Sequence, residues 1–83
     1  MSIDAGFRAL TPEGIRKAAR DLDPEPIRHW FTEIEGKQCP VKQLIRTAAN
    51  LLRPPPPVKN LTTSEAVALL SHNGFTSRNK DWS

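Results

Sequence analysis

Lys42, Arg46, Asn50 and Arg53 follow one another at intervals of four, four and three residues. On a helix of 3.6 residues per turn that spacing makes a single polar stripe, with Gln43 and Thr47 beside it. Lysine and arginine in such a stripe suit phosphate oxygens, whereas Gln43, Asn50 or Arg46 suit the edges of bases. A cation in a first helical turn opposes the helix dipole slightly, so Lys42 is poorly placed for generic stabilisation. An anion docking at that helix start would meet free backbone N–H groups together with the Lys42 ammonium. Lys37 leads into the same end from a hairpin. The bland counterpart is a solvated helix face, and the charge distribution weighs against it.

From residue 37 to residue 80 there are seven cations and one acid, Glu65, while residues 1–36 carry five cations and seven acids. The net charge of +3 hides this division. Ordinary surfaces intersperse both signs, so a one-sided layout in a small domain points to a polyanion, most simply nucleic acid.

Other chemistries lack their residues. His29 and His72 are accompanied by no nucleophile or carboxylate constellation, so no catalytic site is expected. Two histidines and one cysteine, at 29, 39 and 72, have no metal-ligand spacing. Neither a metal nor a cofactor is expected. Cys39 alone makes no internal disulfide, which fits a reducing compartment, and its expected place is a small buried slot between strand and helix. No apolar run approaches the roughly 20 residues of a membrane span, and no signal peptide is visible. The expectation is a cytoplasmic protein of bacterial type.

Eighty-three residues, 37% of them apolar, allow one modest core and little room for a deep cavity. Residues 1–10 read as an arm that Phe7 and Leu10 pin to the core, residues 11–78 as one domain, and residues 79–83 as a frayed tail. Thr11-Pro12-Glu13 starts a helix whose apolar face is Ile15, Ala18, Ala19 and Leu22; Asp23-Pro24 ends it. Ile27 to Ile34 reads as a strand, Glu35-Gly36 as a turn, and Lys37-Gln38-Cys39 as the returning strand. Pro40 opens the second helix, with Val41, Leu44, Ile45, Ala48 and Leu52 inward. Four prolines from Pro54 stop it and form a stiff connector. Thr62 and Glu65 have capping-box spacing for a third helix, which ends at Asn73-Gly74, and Phe75 to Arg78 returns as a third strand. The fold class is therefore α+β: a small antiparallel sheet packed against about three helices, in the order α-β-β-α-α-β.

Trp30 has two readings, a core residue or a platform for stacking on a base or modified base. Phe31 and Phe75 are assigned to the core.

A strand carrying Trp30, the hairpin Ile34-Glu35-Gly36-Lys37, the helix opening Pro40-Val41-Lys42, and Thr62-Thr63-Ser64-Glu65-Ala66 followed by Leu70 and Asn73-Gly74-Phe75 make up roughly 50 of the 83 residues. This pattern resembles the N-terminal head domain of actinobacterial McrA-like type IV restriction endonucleases, and related stand-alone small 5-methylcytosine-binding proteins. Cys39 stands where that pattern has an aromatic. The resemblance implies binding to double-stranded DNA carrying modified cytosine, 5-methylcytosine first. Cutting in such enzymes belongs to a separate HNH domain, whose motif this chain does not carry. The expected phosphate contacts are Lys37, Lys42, Arg46 and Arg53, and the expected base or methyl contacts are Trp30, Gln43 and Asn50. The competing class is a non-enzymatic adaptor whose basic half docks an acidic protein, with the prolines as a rigid arm.

Overall fold

The computed structural model describes residues 5–27, 29–53, 55–59 and 61–79. It has the α+β architecture and element order read from the sequence. A 3-10 turn, Ala5–Ala9, precedes α1 (Pro12–Asp21); β1 (Trp30–Ile34) and β2 (Lys37–Pro40) form a hairpin; α2 (Val41–Asn50), α3 (Thr63–His72) and β3 (Ser77–Asn79) follow. The sheet order is β2-β1-β3, with both pairings antiparallel. Phe7 and Leu10 are buried, which fixes the described part of the N-terminal segment to the core.

Two of the three α-helices start at a side-chain cap. The Thr11 side chain accepts a 3.0 Å hydrogen bond from the Gly14 N–H, and Pro12 sits where no intrahelical donor is needed. Thr62 and Glu65 form the expected capping box, with bonds of 3.0 and 3.1 Å. α2 has no side-chain cap; it follows directly on Pro40, the last residue of β2. Its stability comes from burial of Val41, Leu44, Ile45, Ala48 and Ala49, because α2 packs against α1, α3, β1 and β2 together.

The hairpin loop has two residues of positive φ, Glu35 at 51° and Gly36 at 81°, the pattern of a type I′ turn. Two ties hold this hairpin to the end of α1. Arg20 donates to both carboxylate oxygens of Glu35, at 2.9 and 3.1 Å. The Lys37 ammonium donates to the carbonyls of Ala19, Arg20 and Leu22 at 2.7, 3.3 and 3.1 Å. Terminal carbonyls of a helix have no intrahelical partner and carry the negative end of its dipole, so one cation satisfies three of them with favourable electrostatics.

Alternation along the strands sorts the residues. Trp30, Thr32, Ile34, Cys39 and Ser77 share one sheet face; Phe31, Glu33, Gln38 and Arg78 share the other. The first face is against the helices: Thr32, Ile34 and Cys39 are buried, and the Thr32 and Ser77 hydroxyls pair at 2.9 Å. Cys39 occupies the buried slot expected of it, and desolvation pushes its thiol pKa up.

Three expectations shift. β1 begins at Trp30, paired with Asn79 of β3, rather than at Ile27; Arg28, within the expected span, lies outside the described residues. β3 begins at Ser77 rather than Phe75. The Phe75 N–H is taken by the Leu70 carbonyl at 2.9 Å and the Gly74 N–H by Ser71 at 3.0 Å, a Schellman closure of α3 with Gly74 at φ 88°. Phe31, expected in the core, is half-buried on the outer sheet face. Phe75 is also half-buried; it packs at the edge of the core, with the Arg16 guanidinium 5.6 Å from its ring centre. In the proline run Pro56 is buried while Pro55 and Pro57 are exposed. Pro54, Lys80 and Trp82 lie outside the described residues.

Candidate nucleic-acid interface

The stripe proposed on α2 divides in two. Lys42, Arg46 and Asn50 are all exposed on successive turns of the helix, and Arg53 lies just past its end. Arg53 donates to the carbonyls of Asn50 and Leu52, at 2.8 and 2.9 Å, and so closes the helix terminus. At the other end, Lys42 and Arg46 border an open groove of about 450 Å³. Asn50 and Arg53 are not among its lining residues.

The floor of the groove is apolar. Trp30, Pro40 and Val41 line it where β1, β2 and the start of α2 meet. Trp30 is half-buried: part of it packs against the core cluster and part faces the groove. Of the two readings of this tryptophan, the core one is met in part, and the remainder of the ring lines the groove. Opposite the helix, the chain leaving α1 supplies Glu25, Pro26 and His29.

That second wall is fastened to α2 by Gln43. Its carboxamide nitrogen donates to the Asp23 carbonyl at 2.9 Å, and its oxygen accepts from the Glu25 N–H at 2.9 Å. A side-chain amide carries donors and an acceptor, and here both kinds are engaged by one loop. Gln43 therefore acts first as a clip, although it also lines the groove. Thr47 bonds back to the Gln43 carbonyl at 2.9 Å and is half-buried.

Across the groove the Arg46 guanidinium lies 4.0 Å from a Glu25 carboxylate oxygen, the outer limit of an ion pair. Both side chains are substantially exposed, so a pairing at this distance contributes little to stability. Arg46 also reaches the Lys42 carbonyl, at 3.4 Å.

Lys37 is not part of this arrangement. Its ammonium is directed at the end of α1, and the expected phosphate contact gives way to a helix cap. The sequence drew attention to the cations because lysine and arginine announce themselves by type. Glu25, Pro26, His29 and Pro40 were missed: Pro40 reaches the groove from the end of β2, and the Glu25 segment is held at it by the tertiary clip at Gln43. Asp23-Pro24-Glu25-Pro26 did carry a signal: alternate prolines stiffen a loop and bias it to extended backbone.

A second hollow, about 350 Å³, lies on the outer sheet face between Phe31, Glu33, Gln38, Phe75 and Arg78. It carries one charge of each sign and lacks the one-sided character of the helix wall. Among the described residues no three His, Cys, Asp or Glu side chains are grouped to hold a metal ion, and no helix is long and apolar enough to cross a membrane. Comparisons with protein-family models, curated proteins and solved structures returned no match.

Proposed function

We propose that this protein binds double-stranded DNA along the exposed face of α2, without catalysing a reaction, and prefers DNA carrying 5-methylcytosine. The observation that carries the DNA reading is the convergence of Lys42, Arg46 and a partly exposed Trp30 on one open groove. Cations at the rim supply sequence-independent attraction to phosphate, and the indole offers an apolar surface to a base or its methyl group. Asn50 and Arg53 extend the polar line of α2 beyond the groove. A helix is about 10–12 Å across with its side chains, a diameter that a major groove about 12 Å wide admits, and the ten residues of α2 would run about 15 Å along it. The methyl preference rests on the resemblance given above, to which a groove with an aromatic floor adds a physical rationale.

The test is a titration of matched duplexes, with and without 5-methylcytosine, at two salt concentrations. Binding that weakens with salt, with a slope of about −0.9 per neutralised phosphate, supports the DNA reading. A methyl-dependent offset at both salts supports the preference. An adaptor for an acidic protein would ignore the methyl group, and equal, weak binding to both duplexes would favour it.

A further inference from the structure

An acid in a groove meant for DNA needs a reason. Glu25 repels phosphate, and its side chain is 64% exposed while that of Arg46 is 47% exposed, so neither is locked into the other. Yet Glu25 is not loosely placed. Its N–H is held by Gln43, the neighbouring Asp23 carbonyl is held by the same amide, and prolines 24 and 26 flank it. The protein thus fixes the backbone that carries this carboxylate on the groove wall, and the exposed side chain brings its oxygen to 4.0 Å from a guanidinium.

An acceptor beside a fork of donors has a natural complement. In the major groove a C·G pair presents the cytosine N4 amino donor next to the guanine O6 and N7 acceptors. Carboxylates accept from that amine, and arginine bonds O6 and N7 together. A T·A pair puts the thymine O4 acceptor where the amine would be, so a carboxylate there meets a second acceptor. A group that lowers affinity for all DNA while rejecting one base pair more strongly is a specificity device.

We propose that Glu25 and Arg46 together read one C·G pair, Glu25 accepting from the cytosine amine and Arg46 donating to the guanine, with Gln43 as the residue that positions Glu25. This deepens the duplex-DNA reading above and rests on it. It is independent of methylation, so the test uses unmethylated DNA throughout.

The experiment is fluorescence anisotropy of the whole chain with an alternating C·G duplex and an alternating T·A duplex of equal length, at one salt concentration. The wild type is compared with Glu25→Ala, with Asp21→Ala, and with Arg46→Lys. Asp21 is an exposed acid at the end of α1 that does not line the groove, so its removal changes net charge equally. Expected is a preference for C·G of about tenfold or more in the wild type, the scale of one good base contact. Glu25→Ala erases most of it, Arg46→Lys, whose ammonium can still donate to guanine but without the planar fork, reduces it, and Asp21→Ala keeps it. The inference is overturned while DNA binding stands if Glu25→Ala merely tightens both duplexes alike, or if the wild type binds both without preference. Failure of the wild type to bind either duplex removes the DNA reading itself, and this inference with it. A thermal melt of each variant confirms that the fold is kept.

Discussion

Two regions of this molecule carry cations of the same chemical type and use them in opposite ways. At the junction of α1 with the hairpin, Lys37 and Arg20 are turned inward on the protein's own acceptors: three helix carbonyls and one carboxylate. At the start of α2, Lys42 and Arg46 border an open groove, and the nearest carboxylate to Arg46 is at 4.0 Å. The first set holds the hairpin against the helices. The second set is exposed at the rim of the groove. A count of positive charge along the chain cannot separate them; only the acceptors that folding brings within reach can.

The sharpest way to break this contrast is to remove Lys37 alone. Lys37→Met keeps the aliphatic stem but leaves three carbonyls without their cation. Hydrogen bonds to a charged group contribute about 1.5–3 kcal/mol, and the loss here is expected at the upper end. For a chain of this size that lowers Tm by on the order of 10 °C or more, read by circular dichroism. Measured where the variant is folded, duplex binding should be close to wild type. A variant that keeps its Tm and loses DNA would reverse the assignment of Lys37.

Trp30 straddles the two kinds of role. Trp30→Ala is expected to cost about 2 kcal/mol, roughly half the value for a fully buried aromatic, because only part of the ring is packed. Trp30→Phe keeps much of that packing and isolates the contribution of the indole to binding. If Trp30→Phe retains the fold and the 5-methylcytosine preference unchanged, the indole is structural and leaves the site.

Lys42→Ala is the counterpart to Lys37→Met. Its expected Tm is within a degree or two of wild type, since the side chain is exposed and caps nothing. Its expected effect on binding is a weakening on all duplexes alike, with the salt slope reduced by about 1. The pair of variants thus predicts a crossover, one losing stability and keeping affinity, the other doing the reverse.

What the sequence made legible was mostly local. Thr11-Pro12, the Thr62–Glu65 box and Asn73-Gly74 act within one turn of chain, and each performs in the fold as its type suggests. Element identity followed from these stops and starts and from apolar periodicity. Strand starts were less legible because pairing depends on a partner distant in sequence, as with Trp30 opposite Asn79, and the Phe75 N–H had a competing use in the helix closure. The site was half legible. Lys42 and Arg46 were visible by type and spacing, but the wall opposite them is created by Gln43 reaching 20 residues back to Asp23. No spacing rule encodes that contact, nor the one that draws Lys37 to α1.

The smallest expected effect distinguishes the two ties at the hairpin by pH. The hydrogen bond and charge of Arg20 hold the Glu35 carboxyl below its ordinary pKa of 4.5. A depressed carboxylate pKa contributes stability that is present above the unfolded value and is lost as pH falls through the folded one. The Glu35 hydrogen bond pushes the Arg20 guanidinium still further up, beyond any pH at which the protein would be studied, so only the acid limb matters. Both groups are exposed, so the effect is small and falls with added salt. Accordingly, the Tm difference between wild type and Glu35→Gln should be measurable at pH 7 in low salt and should narrow steadily as pH falls below the ordinary carboxyl range. The Lys37 cap involves neutral carbonyls, which do not titrate, so the deficit of Lys37→Met should persist over the same acid range. A deficit in Glu35→Gln that also survives acid would mean that Glu35 acts through its turn conformation, at φ 51°, rather than through its charge.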